Sequence, residues 1–189
     1  AEKFVASGAA KVYAAVRDVR QAVELVESSQ GRVVPLPMDL RDWHSIQAGF
    51  AAAHDVEIVV NNAGVLRAAT PLAADALEDL EYEFDVNVKG LVRIARAAAP
   101  VLKANGGGAL VQLNSVASLV SFTAFATYCA SKAAAYSLTQ ALREELSGQG
   151  TLVVSVHPGP IATDMGHAAG FDEIAEPPQV VAEALVAAL

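Results

Sequence analysis

Val56-Glu57-Ile58-Val59-Val60-Asn61-Asn62-Ala63-Gly64 is a short apolar run that stops on two amides, an alanine and a glycine. Val/Ile-rich residues without alternation read as a strand buried on both faces, and the small polar ending reads as the turn that leaves it. The same reading applies to Lys11–Val16, Arg32–Leu36, Ala109–Asn114 and Leu152–His157. Helical segments stand between them: Val19–Ser28, Trp43–Ala53, Ala74–Asn105 with a possible break, Ala126–Ser147 and Pro178–Leu189. Alternation of β and α predicts one α/β domain over residues 1–189 with a doubly wound parallel sheet. Gly106-Gly107-Gly108 precedes a strand and reads as a helix stop, since a phosphate-binding glycine loop follows a strand.

A chain of 189 residues with 53% hydrophobic content has ample material for one buried core. No apolar run reaches the ~18–20 residues that span a bilayer. A net charge of −8 argues against nucleic acid or an anionic membrane surface as partner. The single cysteine, Cys129, excludes an internal disulfide framework and is compatible with a reducing cytoplasm. His44, His54, His157 and His167 lack ligand-like spacing, so no metal site is expected.

Chemistry enters with Tyr128-Cys129-Ala130-Ser131-Lys132. On a helix, residues four apart share a face, which sets an ammonium beneath a phenol. Working near neutral pH means lowering a free tyrosine from ~10, at about 3–4 kcal/mol. One positive charge at ~5 Å in an effective dielectric of ~20 supplies on the order of 3 kcal/mol. Three further segments accompany the pair. Ser115 follows Ala109–Leu113, Asn87 lies in Phe84-Asp85-Val86-Asn87-Val88-Lys89-Gly90, and Pro158-Gly159-Pro160-Ile161-Ala162-Thr163 follows the last strand.

In this order and spacing, with Asn61-Asn62-Ala63-Gly64, these segments resemble the short-chain dehydrogenase/reductase family over nearly the whole chain. The resemblance implies a Rossmann-type oxidoreductase that interconverts a carbonyl and an alcohol by hydride transfer with NAD(H) or NADP(H). Tyr128 is then the general acid/base. Lys132 tunes its pKa and bonds the nicotinamide ribose. Ser115 aligns the substrate carbonyl, with Ser118 as a rival that fits the spacing less well. Asn87 bends its helix and holds a water relay, or acts only as a cap or kink. Asn61, Ala63 and Gly64 shape the turn beside the adenosine and ribose, or only stabilise the sheet. Asp39 contacts adenine or caps the next helix. Pro158, Gly159, Ile161 and Thr163 wrap the nicotinamide. The segment His167–Pro178 corresponds to the family's flap over the substrate.

Departures from the family pattern bear on function. Ala1–Gly8 reads as the tail of a helix ended by a glycine cap, with no strand or glycine-rich loop before it. The last helix stops where the family adds one more strand. A gap is therefore expected between Lys11–Val16 and Val56–Val60, and these residues alone are not expected to form an active enzyme. A catalytically silent nucleotide-sensing or scaffold relative is the alternative. The intact Asn87, Ser115, Tyr128 and Lys132 set argues against it. Sugar-nucleotide epimerases share the Tyr/Lys pair but lack the Asn61–Gly64 pattern.

Cofactor choice rests on the end of the Lys11–Val16 strand. An acid at this place reads the 2′-hydroxyl of NAD(H), and an arginine accommodates the 2′-phosphate of NADP(H). Val16 stands at the acid's position and Arg17 next to it, which favours NADP(H); Asp18, one residue further, leaves a shifted acid open. Ala95, Ala97, Ala98 and Ala99 suggest close helix packing, and the resemblance implies a homodimer or homotetramer. The substrate is expected to be a small carbonyl compound or alcohol.

Overall fold

The computed structural model describes residues 1–189. Five strands form, β1 (Val12–Val16), β2 (Val33–Pro37), β3 (Ile58–Asn61), β4 (Ala109–Leu113) and β5 (Leu152–Val156). The helices are α1 (Glu2–Ala6), α2 (Val23–Ser28), α3 (Trp43–Ala52), α4 (Ala76–Glu83), α5 (Gly90–Ala104), α6 (Ala126–Ser147), α7 (Asp164–Ala168) and α8 (Pro178–Ala187). Every strand pair is parallel, and the strands fall into two sheets, β1-β2 and β3-β4-β5. No ladder joins β1 to β3, so the expected gap lies where it was placed. A polar tie crosses between the sheets: Tyr13 and Lys11 donate to the two oxygens of Asp55 at 2.7 and 2.6 Å. The paired donors hold the Asp55 carboxyl down to about 2.

The winding is double. Leu110 on β4 and Val153 on β5 face a core with Ile46 and Phe50 of α3, Ile94 and Leu102 of α5, and Leu146 of α6. Val111 and Leu113 of β4 face the other way, against Leu185 of α8 and Phe4 of α1. Strand β4 is buried along its whole length, which is why it lacks alternation in the sequence.

The possible break in Ala74–Asn105 is a π turn. Phe84–Lys89 joins α4 to α5 as one wide turn, a distortion that recurs at functional positions. The alanines quoted for subunit pairing divide between core and surface. Ala95 and Ala98 are buried in the main core, and Ala97 and Ala99 pack against it. The small side chains of Ala95 and Ala98 let α5 lie close to its own sheet, while Ala97 and Ala99 stay partly exposed.

Candidate active site

Asn61, Ser115 and Pro158 all lie at the C-terminal ends of β3, β4 and β5, the edge where open parallel sheets bind ligands. Tyr128 and Lys132 reach this edge from the first turns of α6, and both are buried. The Tyr128 ring packs with Ala117 and Cys129, against Leu66 and Phe125. Lys132 donates to the Leu113 carbonyl at 2.9 Å, with its ammonium 5.7 Å from the Tyr128 ring centroid. The Ser115 hydroxyl accepts from the Ala117 amide at 3.1 Å and is the neighbour that stabilises the Tyr128 phenolate.

The electrostatics correct one expectation. Burial pushes the Tyr128 phenol above its ordinary value, Ser115 opposes the rise, and the Cys129 and Glu83 charges add to it. Lys132 is not among the groups that act on the phenol, and burial lowers its own pKa to about 8. The simple pair estimate omitted the cost of taking both groups out of water, which here decides the sign. The Tyr128 phenol is thus neutral at neutral pH.

Asn87 sits in the π turn and is fully used. Its Oδ1 accepts from Val65 N at 2.9 Å, and its Nδ2 donates to Val65 O and to Ser131 Oγ, both at 2.9 Å. The side chain thereby fastens the loop after β3 to α6. Gly64 is needed for close approach: a Cβ there would stand 3.1 Å from Asn87 Oδ1 and 3.4 Å from Lys132 Nζ. The glycine admits this pair of polar groups, an approach from within the protein that the sequence did not indicate.

The remaining cofactor candidates spread along the same edge. Asn61 is buried and donates to Gln112 Oε1 at 2.7 Å, which ties β3 to β4. Ala63 is exposed in the turn. Asp39 does not cap α3: that N-cap is Asp42, which accepts from His44 N, while Asp39 Oδ1 accepts from Arg41 N at 2.8 Å. Arg17 is exposed at the end of β1 and takes part in no ion pair. Asp18 is engaged elsewhere, capping the turn at Val19–Ala22 and holding Arg20 Nη2 at 2.6 Å. Pro158 O accepts from Val116 N at 2.9 Å, and Gly159 is exposed. Ile161 bridges to Glu176, and Thr163 caps α7 by accepting from Gly166 N at 3.2 Å. Phe171 of the flap lies 5.5 Å from Phe125, ring to ring, next to the α6 start.

One buried group escaped the sequence reading. Glu83 stands four residues before Asn87 on the same helical face and is fully buried. It accepts from Arg67 N at 2.7 Å, and its other oxygen faces Thr127, the residue before Tyr128. Burial raises its pKa. Its charge also raises Tyr128, so Glu83→Gln is expected to move the alkaline fall of carbonyl reduction to lower pH, read from a kcat/KM–pH profile of the full-length protein. An unmoved or upward-moved limb contradicts this.

The family model described as short chain dehydrogenase matches residues 1–173. The chain belongs to that family. It is 36% identical to a chloroplastic NADPH-dependent aldehyde reductase-like protein of Arabidopsis thaliana, over 71% of this chain and 52% of the relative. It is 34% identical to D-erythrulose reductase of Gallus gallus, over 83% of this chain and 63% of the relative. A short-chain dehydrogenase of Burkholderia cenocepacia J2315, solved with NADP, superposes at a TM-score of 0.81 with 36% identity, covering 88% of this chain and 68% of that one. The chain thus spans roughly half to two-thirds of the length of these short-chain dehydrogenase relatives. No helix is long and apolar enough to cross a membrane.

Proposed function

We propose that the protein interconverts a carbonyl and an alcohol by hydride transfer with a nicotinamide cofactor, with Tyr128 as the general acid/base. The observation that carries this reading is convergence. A buried phenol stands beside Ser115, and the buried Lys132 ammonium and the Asn87 amide meet at Gly64, all at the C-terminal edge of the sheet. Ser115 and Tyr128 share the carbonyl oxygen, and the neutral phenol gives up its proton as hydride reaches carbon. A bound nicotinamide supplies the hydride. Lys132 would hold its ribose, and Pro158, Gly159, Ile161 and Thr163 would border its carboxamide. The single buried cysteine suits a reducing cytoplasm, and the substrate is a small aldehyde, ketone or alcohol.

Reduction of an aldehyde and ketone panel by the full-length protein, followed by NADPH oxidation, tests the reading. Cofactor binding without turnover of any member would favour the silent scaffold alternative. Subunit pairing into a dimer or tetramer belongs to the same proposal. Light scattering of the full-length protein at micromolar concentration is expected to give twice or four times the monomer mass; a strict monomer refutes it.

NADP(H) is the preferred cofactor in this reading. The support is Arg17, exposed and free at the end of β1, while Asp18 is held by Arg20 and is not turned to a ribose. A planar guanidinium matches a 2′-phosphate. Arg17→Ala is expected to lower kcat/KM with NADPH by about tenfold, the loss of one charge-assisted contact. Activity with NADH should hardly change. An NADPH response indifferent to the substitution overturns the assignment.

A further inference from the structure

Ser115 ends β4, and its backbone carbonyl is gripped from β5. His157 Nδ1 lies 3.2 Å from that carbonyl and 2.8 Å from Ser118 Oγ, and the Ser118 hydroxyl itself donates to the same carbonyl. The other ring nitrogen, Nε2, lies 2.8 Å from Ser155 Oγ. Main-chain bonds flank this crossing on both sides: Asn114 N donates to Val156 O at 2.8 Å and Val116 N to Pro158 O at 2.9 Å. The imidazole is thus wedged between two strand ends, its ring 4.6 Å from that of Tyr136 on α6 in an edge-on arrangement.

The polarity of the network fixes the proton. A carbonyl oxygen only accepts, so Nδ1 must carry hydrogen to bond Ser115 O. The far side gives the same answer. The Thr139 hydroxyl donates to Ala135 O at 2.7 Å, so toward Asn114 it is an acceptor and Asn114 must present its NH₂. That NH₂ also donates to Ser155 Oγ at 2.8 Å, which leaves the Ser155 hydroxyl hydrogen for Nε2. Every donor is matched when the ring is neutral and protonated on Nδ1. An imidazolium would set Nε2–H against the Ser155 hydroxyl hydrogen and break the chain of bonds.

From this arrangement we infer that His157 is a positioning residue for Ser115, held as the neutral Nδ1–H tautomer by hydrogen bonds that run from the Asn114 amide through Ser155. It never touches substrate. It fixes the strand end from which the Ser115 hydroxyl projects, so its loss lets that hydroxyl drift from the carbonyl it aligns. This rests on the proposed alignment role of Ser115.

The test uses the full-length protein. ¹⁵N NMR of the wild-type imidazole is expected to show a neutral ring with a pyrrole-type Nδ1; a pyrrole-type Nε2 or a charged ring at pH 7.5 overturns the inference. His157→Phe keeps the ring beside Tyr136 but removes both polar contacts. Its kcat is expected to fall about ten- to a hundredfold, the scale of a small misplacement of a reacting group, with KM for the cofactor within about twofold. His157→Asn returns a donor near the Nδ1 position and should recover most of the loss. An undiminished kcat in His157→Phe, or no recovery in His157→Asn, defeats the positioning role. Ser115→Ala measured beside them separates the two ideas. If Ser115→Ala is fully active, the function reading fails; if it is impaired while His157→Phe is not, only the present inference fails.

Discussion

Tyr128→Phe in the full-length protein is expected to lower kcat for carbonyl reduction by about 10²–10⁴, the range over which a positioned general acid acts. The substitution removes one oxygen and little else. The ring's contacts with Ala117, Cys129, Leu66 and Phe125 remain, so no cavity opens. The deleted hydroxyl is a largely desolvated polar group, and folding stability should stay level or rise slightly. Cofactor affinity should be largely spared, because Lys132 and the strand-end backbone are untouched. A drop in kcat with unchanged thermal unfolding and unchanged cofactor binding is therefore the expected pattern. Turnover within a few-fold of wild type would sink the acid/base assignment.

Lys132→Met is expected to separate stability from activity. A lysine in an unfolded chain titrates near ~10.4, whereas burial lowers Lys132 to about 8 in the cofactor-free protein. Between those values the unfolded chain binds the extra proton, so stability climbs as pH rises from about 8 towards ~10.4. Below about 8 the whole penalty is present, on the order of 3 kcal/mol. Methionine fills a similar volume and removes that penalty. It also loses the bond to Leu113 O, which offsets about 1 kcal/mol or somewhat more. The net gain of about 1–2 kcal/mol at pH 7 corresponds to a Tm higher by roughly 2–8 °C in a chain of this size. Turnover should fall steeply, because the ribose loses its cation. A lower Tm at pH 7, or a gain that does not shrink as pH approaches 10, contradicts the burial argument. Unchanged turnover contradicts the proposed role.

A buried lysine that weakens the fold is what a binding site looks like before its ligand arrives. Glu83 is a second charged type buried beside Tyr128, held by the Arg67 amide alone, with its other oxygen lacking a hydrogen-bond partner. Neither is explained by packing. Burial and Glu83 push the Tyr128 phenol up, and Ser115 pulls it down.

The sequence by itself determined the elements and their order. Runs such as Val56–Val60 and Ala109–Asn114 are apolar without alternation because both faces of an inner parallel strand are covered, a local signature that needs no knowledge of partners. The four-residue spacing of Tyr128 and Lys132 likewise fixes a shared helical face. The gap between β1 and β3 followed from the strand order that the motifs imply. Tertiary structure alone decided the rest. The direction in which the Tyr128 phenol shifts is decided by its desolvation, which is not written in a spacing. The inward direction of Ala95 and Ala98 depended on where the sheet lies against α5. Asp39 and Asp42 are both plausible caps in sequence, and only backbone geometry assigned the cap to Asp42. Glu83 looks like one more acid in an acidic helix, Leu77-Glu78-Asp79-Leu80-Glu81-Tyr82-Glu83, until the fold buries it against the Arg67 amide. His157 looks like an isolated histidine until β4 and β5 bring Ser115, Ser118 and Ser155 around it. Periodicity records which face of an element is buried. The neighbours met there, and the energy of a charge among them, are properties of contacts between segments distant in the chain.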